Sequence, residues 1–191
     1  MYKFGIVLLK SEKNKFIYSN INKCAGTTMK TCLKEVAEDI EELKFKNIEI
    51  ACRKLNMGKY LKFNIVRNPW DRYVSLYEHA QRSNDSIYWN DFKNFIKKHE
   101  EMLKFQFYKK HSRSQWISIL PGSHLIHIEN LNKEWWYVAN KIGLKDKLPL
   151  LPIKNKGKRK PYQEYYDDWC KEEIAKIYKK DIEILGYRFG D

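Results

Sequence analysis

Lys23, Cys24, Ala25, Gly26, Thr27 and Thr28 form a run that can hold an oxyanion: one mobile cation, one glycine where the backbone can turn tightly, and two hydroxyl donors. The apolar stretch from Ile17 precedes it. Helical spacing follows, with Met29, Leu33, Val36, Ala37 and Ile40 recurring at three- and four-residue steps. A strand, a turn and a helix start in that order aim backbone N–H groups and the positive end of the helix dipole at whatever occupies the turn. The chemistry implied is phosphate or sulfate binding. The order of residues separates this run from a nucleotide P-loop, GxxxxGK[ST], whose lysine follows the last glycine. Here Lys23 precedes Gly26, no Gly-Lys pair closes the loop, and no aspartate at a strand end is placed for a metal. Taken alone, the run also reads as an ordinary αβ turn with a surface lysine.

A second run adds to the first. Leu61–Val66 is an apolar strand that leads into Arg67-Asn68-Pro69-Trp70-Asp71-Arg72-Tyr73-Val74-Ser75-Leu76-Tyr77. Pro69 suits the first turn of a helix and cannot continue a strand. Tyr73, Leu76, Tyr77 and Ala80 make the buried face of that helix. Arg67 is left at the strand end and Ser75 about two turns into the helix. A guanidinium fork and a hydroxyl converging there suit a second phosphate.

The elements that must position these residues follow from the rest of the pattern. Residues 3–9 and 16–20 read as a hairpin across a polar turn, followed by a first helix over 28–43 and a Lys-rich connection over 44–60. A loop falls at Asn84–Ser86. Asp91 is placed to cap a helix carrying Phe92, Phe95 and Ile96. Residues 104–112 mix aromatics and cations, equally a lining for a sugar or nucleotide groove and a solvated basic segment. Ser114–Leu120 reads as a short helix, Leu125–Ile128 as a strand, and Asn132–Ile142 as a helix with Trp135, Val138, Ala139 and Ile142 turned inward. Residues 145–161 are an irregular stretch. Asp167 or Asp168 caps a last helix, 168–185, with Trp169, Ile174, Ile177, Tyr178 and Ile184 facing in. Strands alternating with helices predict a single α/β domain over residues 1–191, a three-layer α/β/α arrangement with a mostly parallel sheet. Both anion motifs then fall at the carboxyl ends of strands.

Bulk properties narrow the partners. The 191 residues include 37 Lys and Arg against 24 Asp and Glu, a net charge of +13, which attracts polyanions. No zinc-finger spacing, RNP motif or helix-turn-helix signature points to specific nucleic-acid binding. Cys24, Cys32, Cys52 and Cys170 show no CxxC pairing, and buried free thiols are expected. The N-terminal apolar run is too short for a signal peptide, and no stretch is long enough for a membrane span. A cytoplasmic location is the expectation.

Lys23-Cys-Ala-Gly-Thr-Thr28 after a strand resembles the 5′-phosphosulfate loop of the sulfotransferases that use 3′-phosphoadenosine 5′-phosphosulfate (PAPS). Val66-Arg-Asn-Pro-Trp-Asp-Arg-Tyr-Val-Ser-Leu-Tyr77 resembles their 3′-phosphate motif, closest to the carbohydrate sulfotransferases of sulfotransferase family 2. The likeness extends to Gln115-Trp116, Ile128-Glu-Asn-Leu131, Leu148-Pro149, Asn155, Arg159, Tyr162, Tyr165-Tyr-Asp167, Tyr178, Asp181-Ile-Glu183 and Gly186-Tyr187, nearly the whole chain. It implies a P-loop-like sulfotransferase fold and transfer of a sulfuryl group from PAPS to a hydroxyl of an acidic or neutral glycan. The product would be adenosine 3′,5′-bisphosphate (PAP), and no metal would be needed. The resemblance assigns the 5′-phosphosulfate to Lys23, Cys24, Ala25, Gly26, Thr27 and Thr28, the 3′-phosphate to Arg67 and Ser75, and a covering loop to Asn155 and Arg159. Gly157 stands where the family pattern has a hydroxyl.

By analogy with phosphoryl transfer, Lys23 would neutralise charge on the bridging oxygen. The general base is open among His79, His99, His111, His124 and His127, with Glu78 and Glu129 as carboxylate alternatives. His111, in the aromatic-basic segment, leads, with His79 next; His124 and His127 read as structural, and His99 as the end of a solvated helix. Two other classes fit the same residues: a small-molecule kinase with an atypical phosphate loop, and a non-catalytic basic protein that binds polyanions.

Overall fold

The computed structural model describes residues 5–82, 91–147 and 159–191. Ile6–Ser11 (β1) and Phe16–Asn20 (β2) are joined by a four-residue turn, too short for anything but an antiparallel pair. Glu41–Phe45 (β3) runs antiparallel on the other side of β1. Leu61–Val66 (β4) lies parallel to β2, and His124–His127 (β5) lies parallel to β4. The order is β3-β1-β2-β4-β5. An α/β fold is therefore present, but the sheet is mixed and not mostly parallel. β1 makes both antiparallel pairings, with β2 through the hairpin and with β3 on its other edge.

The chain divides into two compact units, Met1–Val66 with Ile117–Lys156, and Arg67–Trp116 with Gly157–Asp191. The sheet belongs to the first. Gly26–Val36 (α1), Ile48–Lys54 (α2) and Leu131–Lys141 (α7) are its helices. Successive side chains of a strand point to opposite faces. Ile6, Leu8 and Ile17 join Ala51 of α2 in one core. Phe16 and Tyr18 face the other way onto Phe63, which meets Trp135 of α7 at 5.8 Å. Both faces of the sheet are thus covered. A buried amide ties it to the following segment: Asn64 donates to Ser19 O and Ser118 O and accepts from Ser123 Oγ.

The second unit is helical, with Pro69–Arg82 (α3), Phe92–Lys97 (α4), His99–Met102 (α5), Gln106–His111 (α6), Asp168–Ile177 (α8) and Lys179–Leu185 (α9). Its core is largely aromatic, built on Trp70, Tyr73, Phe92, Phe95, Tyr162 and Tyr178. Asp91 and Asp167 cap α4 and α8 through Asn94 N and Cys170 N, as their positions predict.

Several boundaries differ from the sequence reading. The first helix stops at Val36 instead of residue 43, because residues 41–45 pair with β1; Ile40 lies outside it. The connection over 44–60 contains α2. Only a 3₁₀ turn, Trp116–Ser118, occupies the stretch read as a helix over 114–120. The last helix breaks at Tyr178, and Trp169 and Ile184 are exposed, not inward. Lys93 and Lys97 sit over the Trp169 ring instead. Cys24, Cys32 and Cys170 are buried free thiols, while Cys52 is half-buried. The loop read at Asn84–Ser86 lies outside the described residues.

His99 is not solvated. It is buried, with Nδ1 3.1 Å from Tyr73 Oη, and burial holds its pKa below the ordinary value. The folded chain therefore binds fewer protons at this ring than the unfolded chain does. Its contribution to stability is present above the ordinary imidazole pKa and lost as pH falls through the depressed one. Urea unfolding between pH 7 and pH 5 is expected to show stability falling with acid, and His99→Gln is expected to flatten that slope. An unchanged slope in the variant would remove His99 as its source.

Candidate active site

The first anion loop leaves β2 at Asn20 and enters α1 at Gly26. Lys23 and Ala25 both adopt left-handed backbone, with φ of 66° and 53°. Side chains rarely accept that region, and alternating turns of this kind gather N–H groups into an anion-holding concavity. Ala25 is the N-cap of α1, no side chain caps it, and the first turn holds no acid. The helix start thus presents its amides and dipole with no acid in its own first turn. Gly26 lies against the Asn20 side chain: a Cβ there would come within 1.9 Å of Asn20 Oδ1, so Asn20 would have to shift for any other residue. Thr27 is exposed and Thr28 buried. Cys24 is buried and its Sγ lies 3.7 Å from Asn22 O, so it packs the loop from within.

The second anion motif is organised from its backbone outward. Gln115 accepts from Arg67 N at 3.0 Å and donates to Arg67 O at 2.8 Å, so one side-chain amide holds both polar groups of that residue. Gln115 is held in turn. Its N–H and that of Trp116 donate to the two carboxylate oxygens of Asp181, at 2.8 and 3.0 Å. Asp181 is fully buried, and burial pushes its carboxyl above the usual range despite those two hydrogen bonds. Asn68, also buried, caps the start of α3 through Trp70 N and donates to Arg188 O.

The Arg67 side chain donates from Nε to Asp71 Oδ2 at 2.6 Å. Arg159 donates from Nη2 to the other oxygen, Asp71 Oδ1. Two of the arginines singled out from the sequence therefore meet on one carboxylate. Arg159 Nη1 is buried with no hydrogen-bond partner among the described residues. Ser75 is half-buried one helical turn beyond Asp71, so the two share a face of α3. Asn155 lies outside the described residues.

The histidine candidates separate clearly. His79 and His111 both stack on Phe107, at centroid distances of 5.1 and 4.1 Å. His111 Nδ1 lies 2.9 Å from Phe107 O. A carbonyl can only accept, so this nitrogen donates, and the neutral ring carries its lone pair on Nε2. Arg72, buried, donates to His111 O at 3.1 Å and fixes the end of α6. His127 contacts Glu134, and His124 packs at a tilt against Tyr137. Glu78 accepts from Tyr165 Oη at 2.6 Å, while Glu129 is exposed.

Asp71 had no role in the sequence reading, and Gln115 and Asp181 were named only within the family likeness. An arginine four residues before an aspartate at a helix start was the available signal for Asp71. Nothing in the spacing links Gln115 to Asp181.

No curated protein and no solved structure matches the chain. The profile of the sulfotransferase family matches residues 8–188, which include both anion motifs, Gln115, Arg159 and Asp181. The chain belongs to the sulfotransferase family, of the family 2 type.

Proposed function

We propose that this protein moves a sulfuryl group from PAPS to a hydroxyl of an acceptor, and that the acceptor is a carbohydrate. The observation that carries the reading is a pair of anion-holding elements. One is an uncapped helix start behind a left-handed loop; the other is an arginine pair with a buried N–H that has no partner among the described residues. The family match supports sulfuryl transfer in general, and the donor in this reading is PAPS. Bound PAPS supplies the transferable sulfuryl group and departs as PAP.

The chain's own residues divide the work. The amides of residues 24–28 and the hydroxyls of Thr27 and Thr28 hold the 5′-phosphate and sulfuryl oxygens. Lys23 places its ammonium against the charge that grows on the bridging oxygen as the sulfur–oxygen bond breaks. Arg67, Ser75 and Arg159 hold the 3′-phosphate through charge-assisted hydrogen bonds. Asn155 belongs to the same proposed set. His111 Nε2 accepts the acceptor's hydroxyl proton as the new oxygen–sulfur bond forms, with its Nδ1–H anchored on Phe107 O. His79 also stacks on Phe107, with its ring centroid 6.5 Å from that of His111. Cys24 contributes its backbone and not its thiol, which is buried.

The test is kinetic. With PAPS and hydroxyl-bearing glycans, Lys23→Ala is expected to lower turnover roughly 100-fold or more while changing PAP affinity only several-fold, since charge that appears only in the transition state is what it meets. Equal losses in rate and affinity would make Lys23 an ordinary binding residue.

His111→Ala is expected to lower turnover about 100-fold and to erase the acid limb of the rate–pH profile, with PAP affinity unchanged. His79→Ala is expected to cost less. If His111→Ala keeps most of its rate with saturating acceptor, another group takes the proton.

A further inference from the structure

Asp71 is the least expected member of the site. It puts a negative charge among residues assigned to an anion. Its side chain is 14% exposed, beside Arg67 at 12% and Arg159 at 24%, so solvent screens these charges only partly. Position alone gives it a reason to exist, because an acid in the first turn of α3 favours the helix dipole. The contacts go further. Each carboxylate oxygen takes one arginine, Oδ2 from Arg67 Nε and Oδ1 from Arg159 Nη2. The two guanidiniums come from distant parts of the sequence and would repel each other without the anion between them. Arg159 is then held by Nη2 while its Nη1 stays buried without a partner among the described residues. An unpaired buried N–H of this kind is costly, and an anionic oxygen in the site would satisfy it.

We infer that Asp71 is a positioning residue: it bridges Arg67 and Arg159 so that the pair is set in advance for a phosphate group. This rests on the assignment of the two arginines to the 3′-phosphate. Preorganisation of this kind raises affinity by removing the cost of ordering two long side chains at the moment of binding. The three groups together carry one net positive charge, which still favours a dianion.

Net charge and positioning give opposite expectations, which makes the inference testable. Removing the carboxylate's charge strengthens the attraction of the site for a phosphate. Removing its geometry weakens it. Asp71→Asn keeps the shape but presents an NH₂ group to one arginine, so the bridge cannot form on both sides. Calorimetric titration of wild type and Asp71→Asn with PAP and with 5′-AMP, which lacks the 3′-phosphate, separates the cases. Positioning gives about a tenfold loss for PAP and no change for 5′-AMP. PAP binding as tight as wild type, or tighter, in a variant that melts like a folded protein would overturn the inference and leave the 3′-phosphate assignment standing. A wild type that binds PAP no better than 5′-AMP would overturn both. Should Asp71→Asn not fold, Asp71→Glu keeps the charge on a longer arm; it is expected to lose PAP affinity by several-fold and none for 5′-AMP, and an unchanged ratio would overturn the inference.

Discussion

The buried carboxylate of Asp181 supports the backbone of the second anion motif. A buried ionised group is costly unless its oxygens are hydrogen-bonded, and here both are, by the N–H groups of Gln115 and Trp116. That contact fixes the backbone of Gln115, and the Gln115 side chain then holds Arg67 by its N–H and its carbonyl. Arg67 is thereby placed where β4 ends and α3 begins. Everything further out, the bridge through Asp71 and the buried edge of Arg159, depends on that placement. Removing the carboxylate leaves two buried N–H groups unpaired, at about 1–3 kcal/mol each.

The first anion loop is organised differently. Its shape is set by two left-handed residues that are not glycine, by the burial of Cys24, and by the close approach of Asn20 to Gly26. A loop held by backbone geometry leaves its amides directed at one place, which suits a group whose charge is spread over several oxygens. The arginine site is held by side-chain pairing and suits a compact dianion.

Much of this was legible in the residues. The loop from Lys23 to Thr28 and the run from Arg67 to Ser75 each change period from strand to helix at a residue with a clear local reason, Gly26 in one and Pro69 in the other. The caps at Asp91 and Asp167 were readable for the same reason, since capping is local. What the sequence hid was non-local. The antiparallel pairing of β3 with β1 overrode helical periodicity beyond Val36, and the break at Tyr178 interrupts an apolar stripe that runs on without it. The meeting of Arg67 with Arg159 on Asp71, and of His79 with His111 beside Phe107, joins residues from separate elements. No spacing rule reports such contacts.

The central claim is that one nucleotide engages this chain through both of its phosphates. Calorimetry of the wild type with PAP, 3′-AMP, 5′-AMP and magnesium ATP tests it most directly, with Arg67→Ala as the control. The account predicts one PAP per chain, bound more tightly than either monophosphate or ATP, and a loss of roughly 1.5–3 kcal/mol for PAP in the variant. ATP binding more tightly than PAP, or 5′-AMP binding as tightly as PAP, would contradict it.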